Sequence, residues 1–175
     1  MDRVIDASSQ DKKIVNGYHV CEATVLSKNN KQPISIYSQI YSCKSSNFIS
    51  KNKYTLESIK AAENLIGKNF IGVFDRGYDD NKIYKYMSDN KHQFVVRLDD
   101  ERTLLFKWKR RSVDEVAKSR KGKISMKALF DNNEEYELML SHTKAILPSN
   151  KKEYTLVIVY GLSEKNPMNE AINEY

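Results

Sequence analysis

The chain of 175 residues is poor in cysteine and has no long apolar run. Two cysteines, Cys21 and Cys43, exclude a disulfide framework and cannot alone form a structural zinc site. The longest apolar stretch, Leu156 to Leu162, falls far short of the ~20 residues that cross a bilayer, which argues against a membrane partner. Met1-Asp2-Arg3 does not begin a basic segment leading into an apolar one, so no secretory signal is read and a reducing cytoplasmic setting is expected. Internal repeats and low-complexity tracts are also missing, which excludes a repeat architecture. The three histidines, His19, His92 and His142, lie far apart without ligand spacing, and Cys43 has no visible catalytic partner.

What the chain does have is a composition suited to a packed domain, 40% hydrophobic and 30% charged, with a formal charge of +6. The surplus sits in one place. Ten basic residues fall between Arg102 and Lys127 against two acidic ones, Asp114 and Glu115, so this segment nets +8 and the remainder −2. Such concentration favours a polyanionic partner over a uniformly solvated surface.

Alternation and turn chemistry predict a strand over Gly17–Leu26, with His19, Cys21, Ala23 and Val25 on one face. A turn at Ser27–Lys31 leads to a second strand in which Ile34, Ile36 and Ile40 alternate with Ser35, Tyr37 and Gln39, giving an antiparallel hairpin. Thr55 reads as the N-cap of a helix with Leu56, Ile59, Ala62 and Ile66 on its inner face, and Gly67 stops it. Phe70–Phe74 is apolar on both faces, as a buried central strand would be. A second helix capped by Asp79 or Asp80 carries Ile83, Tyr84 and Met87, and Gln93–Leu98 forms the next strand. The order β-β-α-β-α-β describes a mixed sheet with flanking helices, an α/β fold over residues 1–100. Residues 101–165 read as a basic, strand-rich insertion without a clear helix, with strands at Thr103–Trp108, Lys123–Phe130, Tyr136–Leu140 and Tyr154–Tyr160 and a turn at Asp131–Asn133. Residues 166–175 form a polar tail.

Asp75 is the most informative position. A carboxylate at the carboxyl end of a strand, before a glycine-containing bend and a helix, stands where open α/β sheets place ligands, and ionised it suits a hard divalent cation. The alternative is a residue that caps the following helix or pairs with Arg76.

The segment Val73-Phe74-Asp75-Arg76-Gly77-Tyr78, the helix after it, and Phe94-Val95-Val96-Arg97-Leu98 resemble the transposases of the IS4-like group. Gly17-Tyr18-His19-Val20 and Gln32-Pro33-Ile34-Ser35-Ile36-Tyr37 resemble the second and third strands of that family in the right order, and the likeness reaches to about Met168. It implies an RNase H-like mixed β-sheet with flanking helices, interrupted by a β-rich insertion. It also implies DNA transposition with two Mg²⁺ or Mn²⁺ ions held by a triad of acids, Asp75 being the second. DNA at transposon ends would then meet Arg97 and the insertion, with Lys107, Trp108, Lys109, Arg110, Arg111, Arg120, Lys121 and Lys123 as the contacting residues. A lone Trp108 among cations either stacks on an unpaired base or packs within the insertion.

Two departures limit the catalytic expectation. The first acid of the family belongs to a strand ahead of Gly17, where Val4-Ile5 is too short; Asp6 is the substitute metal ligand or else a turn residue. No helix patterned Tyr-x2-Arg-x3-Glu-x6-Lys follows the insertion, so Glu164, Glu170 and Glu174 have no motif behind them. The expectation is an internal piece of a transposase catalytic domain that binds DNA, holds metal weakly and does not cut. The sheet edge left by the incomplete first strand would favour a homodimer. The alternatives are a non-enzymatic nucleic-acid-binding module, and a compact two-metal nuclease that recruits Asp6 and a C-terminal Glu.

Overall fold

A computed structural model describes residues 1–5, 13–26, 32–129, 135–160 and 172–174. Its elements are mixed α and β, and the chain divides into two compact units, Met1–Phe70 and Ile71–Tyr175. The division expected near residue 100 thus falls inside the second unit. No helix among the described residues is long and apolar enough to cross a membrane.

In the first unit, β1 (Asp2–Ile5) pairs antiparallel with β2 (Ile14–Gly17), and β3 (His19–Val25) pairs antiparallel with β4 (Ile34–Tyr41). The expected hairpin is present, and β3 turns Cys21 inward while Val20 and Glu22 face out. On β4 the alternating isoleucines do not form the buried face, and Ile36 is half-buried. Ile34 and Ile40 are exposed, Ile40 at 61%, while Tyr37 and Tyr41 pack inward. The cross-strand partners explain it: His19 lies opposite Tyr41 and Cys21 opposite Gln39, so the inner face of β3 selects the odd-numbered residues there. Tyr41 stacks on His19, Phe48 and Tyr54, an aromatic cluster that outweighs the burial of isoleucine.

Helix α1 (Lys51–Ile66) covers this hairpin. Its N-cap is Ser50, whose hydroxyl accepts from the Lys53 amide at 3.2 Å, and not Thr55, which is buried one turn inside the helix. Lys51, Asn52 and Lys53 are polar but helix-compatible, so their polarity marks an outward first turn and not a loop. Thr55, Ser58, Ile59 and Ala62 form the buried stripe, and Ile66 is exposed. Gly67 ends the helix as expected, at a φ of 75°.

In the second unit, β5 (Ile71–Phe74) pairs in parallel with β6 (Gln93–Val96), joined by the 3₁₀ turn Arg76–Tyr78 and helix α2 (Asn81–Asp89). Asp80 caps α2, and Ile83, Tyr84 and Met87 are buried on it. Strand β5 is not buried on both faces: Ile71 is 60% and Val73 77% exposed. Among the described strands β6 alone pairs with it, and α2 covers one side, where the missing side chain of Gly72 leaves room for Met87.

The remainder is a six-stranded sheet in the order β12 (Ile172–Glu174), β11 (Lys152–Tyr160), β10 (Glu135–Leu147), β7 (Thr103–Phe106) and β8 (Lys109–Ser112), with β9 (Ile124–Leu129) also on β10. The segment is not helix-free: α3 (Val113–Lys118) follows β8 directly. It is nucleated by a capping box in which the Ser112 hydroxyl accepts from the Glu115 amide and the Glu115 carboxylate accepts from the Ser112 amide. Val113, Val116 and Ala117 of α3 join Tyr84, Val96, Leu98, Leu104, Phe106, Leu147, Leu156 and Ile158 in one core. The basic segment therefore shares its hydrophobic core with α2 and β6. The turn expected at Asp131–Asn133 lies outside the described residues, but the strands flanking it pair as expected.

Candidate nucleic-acid interface

Strand β5 ends at Asp75, an exposed residue that opens the 3₁₀ turn. Its Oδ1 accepts from the Arg76 amide at 2.7 Å and its carbonyl from the Tyr78 amide at 2.9 Å. The parallel ladder continues one step past β6, with the Arg97 amide donating to the Phe74 carbonyl at 3.0 Å. Asp75 and Arg97 therefore stand together at the carboxyl edge of the parallel pair, where such sheets present ligand-binding groups.

The neighbouring acids are committed elsewhere. Asp79, nearly buried, accepts from the Tyr84 hydroxyl at 3.1 Å, the Asp99 amide at 3.0 Å and the Arg102 guanidinium at 3.2 Å. Arg102 also lies over the Tyr84 ring and donates to Asn81. This buried pair locks the start of α2 to the turn before β7. Asp80 is occupied as the helix cap.

Among the described residues Asp75 belongs to no group of three potential metal-ligating side chains. It offers one exposed carboxylate, with one oxygen already accepting an amide, whereas two hard cations close together need several oxygen ligands. The described residues do not fit a two-metal centre. Asp6, Glu164 and Glu170 lie outside the described residues, as does the side chain of Glu174.

The basic residues separate into two kinds. Arg120 is structural: its Nε donates to the Ser141 hydroxyl at 2.9 Å and its terminal amine to the His142 carbonyl at 2.8 Å, strapping the end of α3 to β10. It lies near Tyr160, whose phenol is pushed up by burial and pulled partly back by the Arg120 charge. Lys118 pairs with Asp114 and Lys127 with Glu135. Lys121 and Lys123 are exposed on a segment held to β10 by the Lys123 amide on the Leu140 carbonyl; Gly122 between them passes so close to Met139 that a Cβ there would collide with it.

The second kind forms the β7–β8 hairpin. Strand β7 stops at Phe106, and Lys107 and Trp108 are not its continuation but the two-residue loop, with φ of 49° and 65°. Two positive φ values in succession make the loop match the strand twist, a conformation normally given to Asn-Gly. Trp108 is 90% exposed and packs into no core. Lys107 lies over the Phe106 ring, its Nζ 5.3 Å from the centroid. Behind the tip, Lys109 and Arg111 share a face with Phe106 and Leu104, while Arg110 points to the other side with Leu105. Strand β8 ends the sheet, so cations on both of its faces also guard an edge that would otherwise recruit further strands.

One cluster had no signal in the sequence. Asp2, His19 and Cys43 bring a carboxylate, an imidazole and a thiol within 4.8 Å of one another. Their separations along the chain resemble no ligand motif, because strand pairing, not local spacing, assembles them. No protein-family model matches the chain, and no curated protein matches it.

Proposed function

We propose that this chain is the DNA-engaging part of a transposase resembling the IS4-like group, with an RNase H-like core, and that the β7–β8 hairpin is its DNA contact. The observation that carries the reading is Trp108, 90% exposed at the tip of a loop flanked by Lys107, Lys109, Arg110 and Arg111. Burying an indole stabilises a fold by several times the thermal energy, so a solvent-exposed one at a cationic tip is suited to a flat apolar ligand face. A nucleobase beside phosphates supplies such a face, and stacking by an aromatic side chain is worth ~1–3 kcal/mol per base. Asp75 and Arg97, side by side at the edge of a parallel pair, agree with the same reading.

In the described residues the chain binds and does not cut, because one carboxylate cannot hold two cations. The hydrogen bond that the Arg76 amide donates to the Asp75 carboxylate favours a second reading, a non-enzymatic nucleic-acid-binding module in which Asp75 shapes the turn. Both readings require DNA binding and no cleavage by this chain alone, and metal-dependent nicking that Asp75→Asn abolishes would overturn both.

Trp108 is the one tryptophan of the chain, so its fluorescence reports the tip directly. Titration with single-stranded or gapped DNA should quench the emission saturably, more strongly than an intact duplex does. Emission unchanged at saturating DNA would overturn the assignment.

A further inference from the structure

We propose that Asp2, His19 and Cys43 form a zinc site in the first unit, with a fourth position open to water or to an added ligand. Three strands bring the groups together. Asp2 lies on β1 opposite Gly17, His19 begins β3 two residues later, and Cys43 follows β4 two residues past Tyr41, which pairs with His19.

Asp2 and Cys43 are tied to each other by a hydrogen bond, and His19 is placed by an aromatic neighbour outside the cluster. The Asp2 side chain is buried, and its Oδ2 accepts from the Cys43 amide at 2.7 Å, which holds the thiol-bearing residue beside it. The His19 ring is stacked on Tyr41 at 5.3 Å between centroids, and Tyr41 is itself clamped by Phe48 and Tyr54. Imidazole orientation is thus set by the aromatic cluster. Cys43 is a free, exposed thiol.

The His19–Asp2 separation lies in the ion-pair range and is also close to that of two ligands on one metal ion. His19 Nε2 lies 3.8 Å from Asp2 Oδ2, too long for a hydrogen bond. Tetrahedral zinc, with bonds of about 2.0–2.3 Å to nitrogen, oxygen and sulfur, sets its ligands roughly 3.3–3.6 Å apart. The imidazole and carboxylate stand nearly at that spacing already, and all three donor atoms lie within 4.8 Å, so closure needs a side-chain rotation of the exposed thiol.

Ligand chemistry chooses the ion. A thiolate with an imidazole and one carboxylate suits zinc, whereas magnesium and calcium require mainly oxygen. Three protein ligands with an open fourth position is the arrangement of a site that can still bind a water or another donor.

The test uses Co²⁺ as the probe, with the full chain under reducing conditions. One equivalent should give the visible absorption of tetrahedral cobalt together with a thiolate-to-cobalt charge-transfer band, and Zn²⁺ should displace both while a large excess of Mg²⁺ does not. Cys43→Ser should remove the charge-transfer band. Asp2→Asn, which keeps the acceptor for the Cys43 amide, should weaken binding by more than the ~10–100-fold that losing an outer-shell partner costs. Circular dichroism of both variants should match the parent. Absence of the band, its survival in Cys43→Ser, unchanged affinity in Asp2→Asn, or displacement by Mg²⁺ would each overturn the site.

Discussion

The Arg97 amide donates to the Phe74 carbonyl at 3.0 Å, one residue before Asp75, so a cation and a carboxylate leave the same edge of the parallel pair side by side. With one carboxylate available there, Mg²⁺ or Mn²⁺ should not support cleavage by this chain alone. Supercoiled plasmid incubated with either metal should remain supercoiled, and Asp75→Asn should leave DNA affinity unchanged. Metal-dependent nicking that Asp75→Asn abolishes would show that a working centre forms.

The Asp79–Arg102 pair is a different case, since both groups are largely withdrawn from water. Removing the cation leaves a buried carboxylate with only the Tyr84 hydroxyl and the Asp99 amide. Arg102→Ala should destabilise the second unit by about 3 kcal/mol in urea denaturation, the cost of orphaning a buried charge. A loss within the scatter of ordinary surface substitutions would mean that water reaches Asp79 freely.

The Lys107-Trp108 loop holds two large residues at positive φ, a conformation that costs of order 1–3 kcal/mol each where no glycine relieves it. Replacing the dipeptide by Asn-Gly should therefore raise the unfolding midpoint while weakening DNA binding. A variant both less stable and equally tight on DNA would contradict the idea that this strain is retained for binding.

Legibility in the sequence followed the range of the forces involved. Local signals were readable: Gly67 as a helix stop, Asp80 as a cap, the inward Ile83, Tyr84 and Met87, and the alternation of β3. The loop at Lys107-Trp108 was not, because it contains no glycine, asparagine or proline to mark it, and the run Thr103–Trp108 reads as one strand. Helix α3 does not stand out although Ser112-Val113-Asp114-Glu115 is a capping-box pattern, since six residues give too little periodicity. Charge alone makes Arg120 look like a DNA contact; its bonds to Ser141 and His142 depend on a strand 21 and 22 residues away. Non-local pairing also hid the grouping of Asp2, His19 and Cys43 and the exposure of Val73.

Tyr37 gives a prediction in pH. Burial first, and then the Glu57 carboxylate that accepts its hydroxyl proton at 3.2 Å, push its phenol from 10.0 up to about 12. A folded-state value above the unfolded one means that this stabilisation is complete below pH 10.0 and is lost as the pH rises from there toward about 12. The parent should lose stability over that window more steeply than Tyr37→Phe, which lacks the titrating group. Parallel pH profiles for the two proteins would show that the fold does not raise the Tyr37 phenol.

The salt dependence of DNA affinity tests the role of the β7–β8 hairpin most directly. Fluorescence anisotropy with a labelled, gapped DNA should give log affinity falling linearly with log salt, and Lys109→Ser with Arg110→Ser should flatten that slope by about 1 for each cation removed. Trp108→Ala should weaken binding about tenfold or more while leaving the slope unchanged, because stacking releases no counterions. Parent-like affinity and slope in both sets of variants would contradict the account.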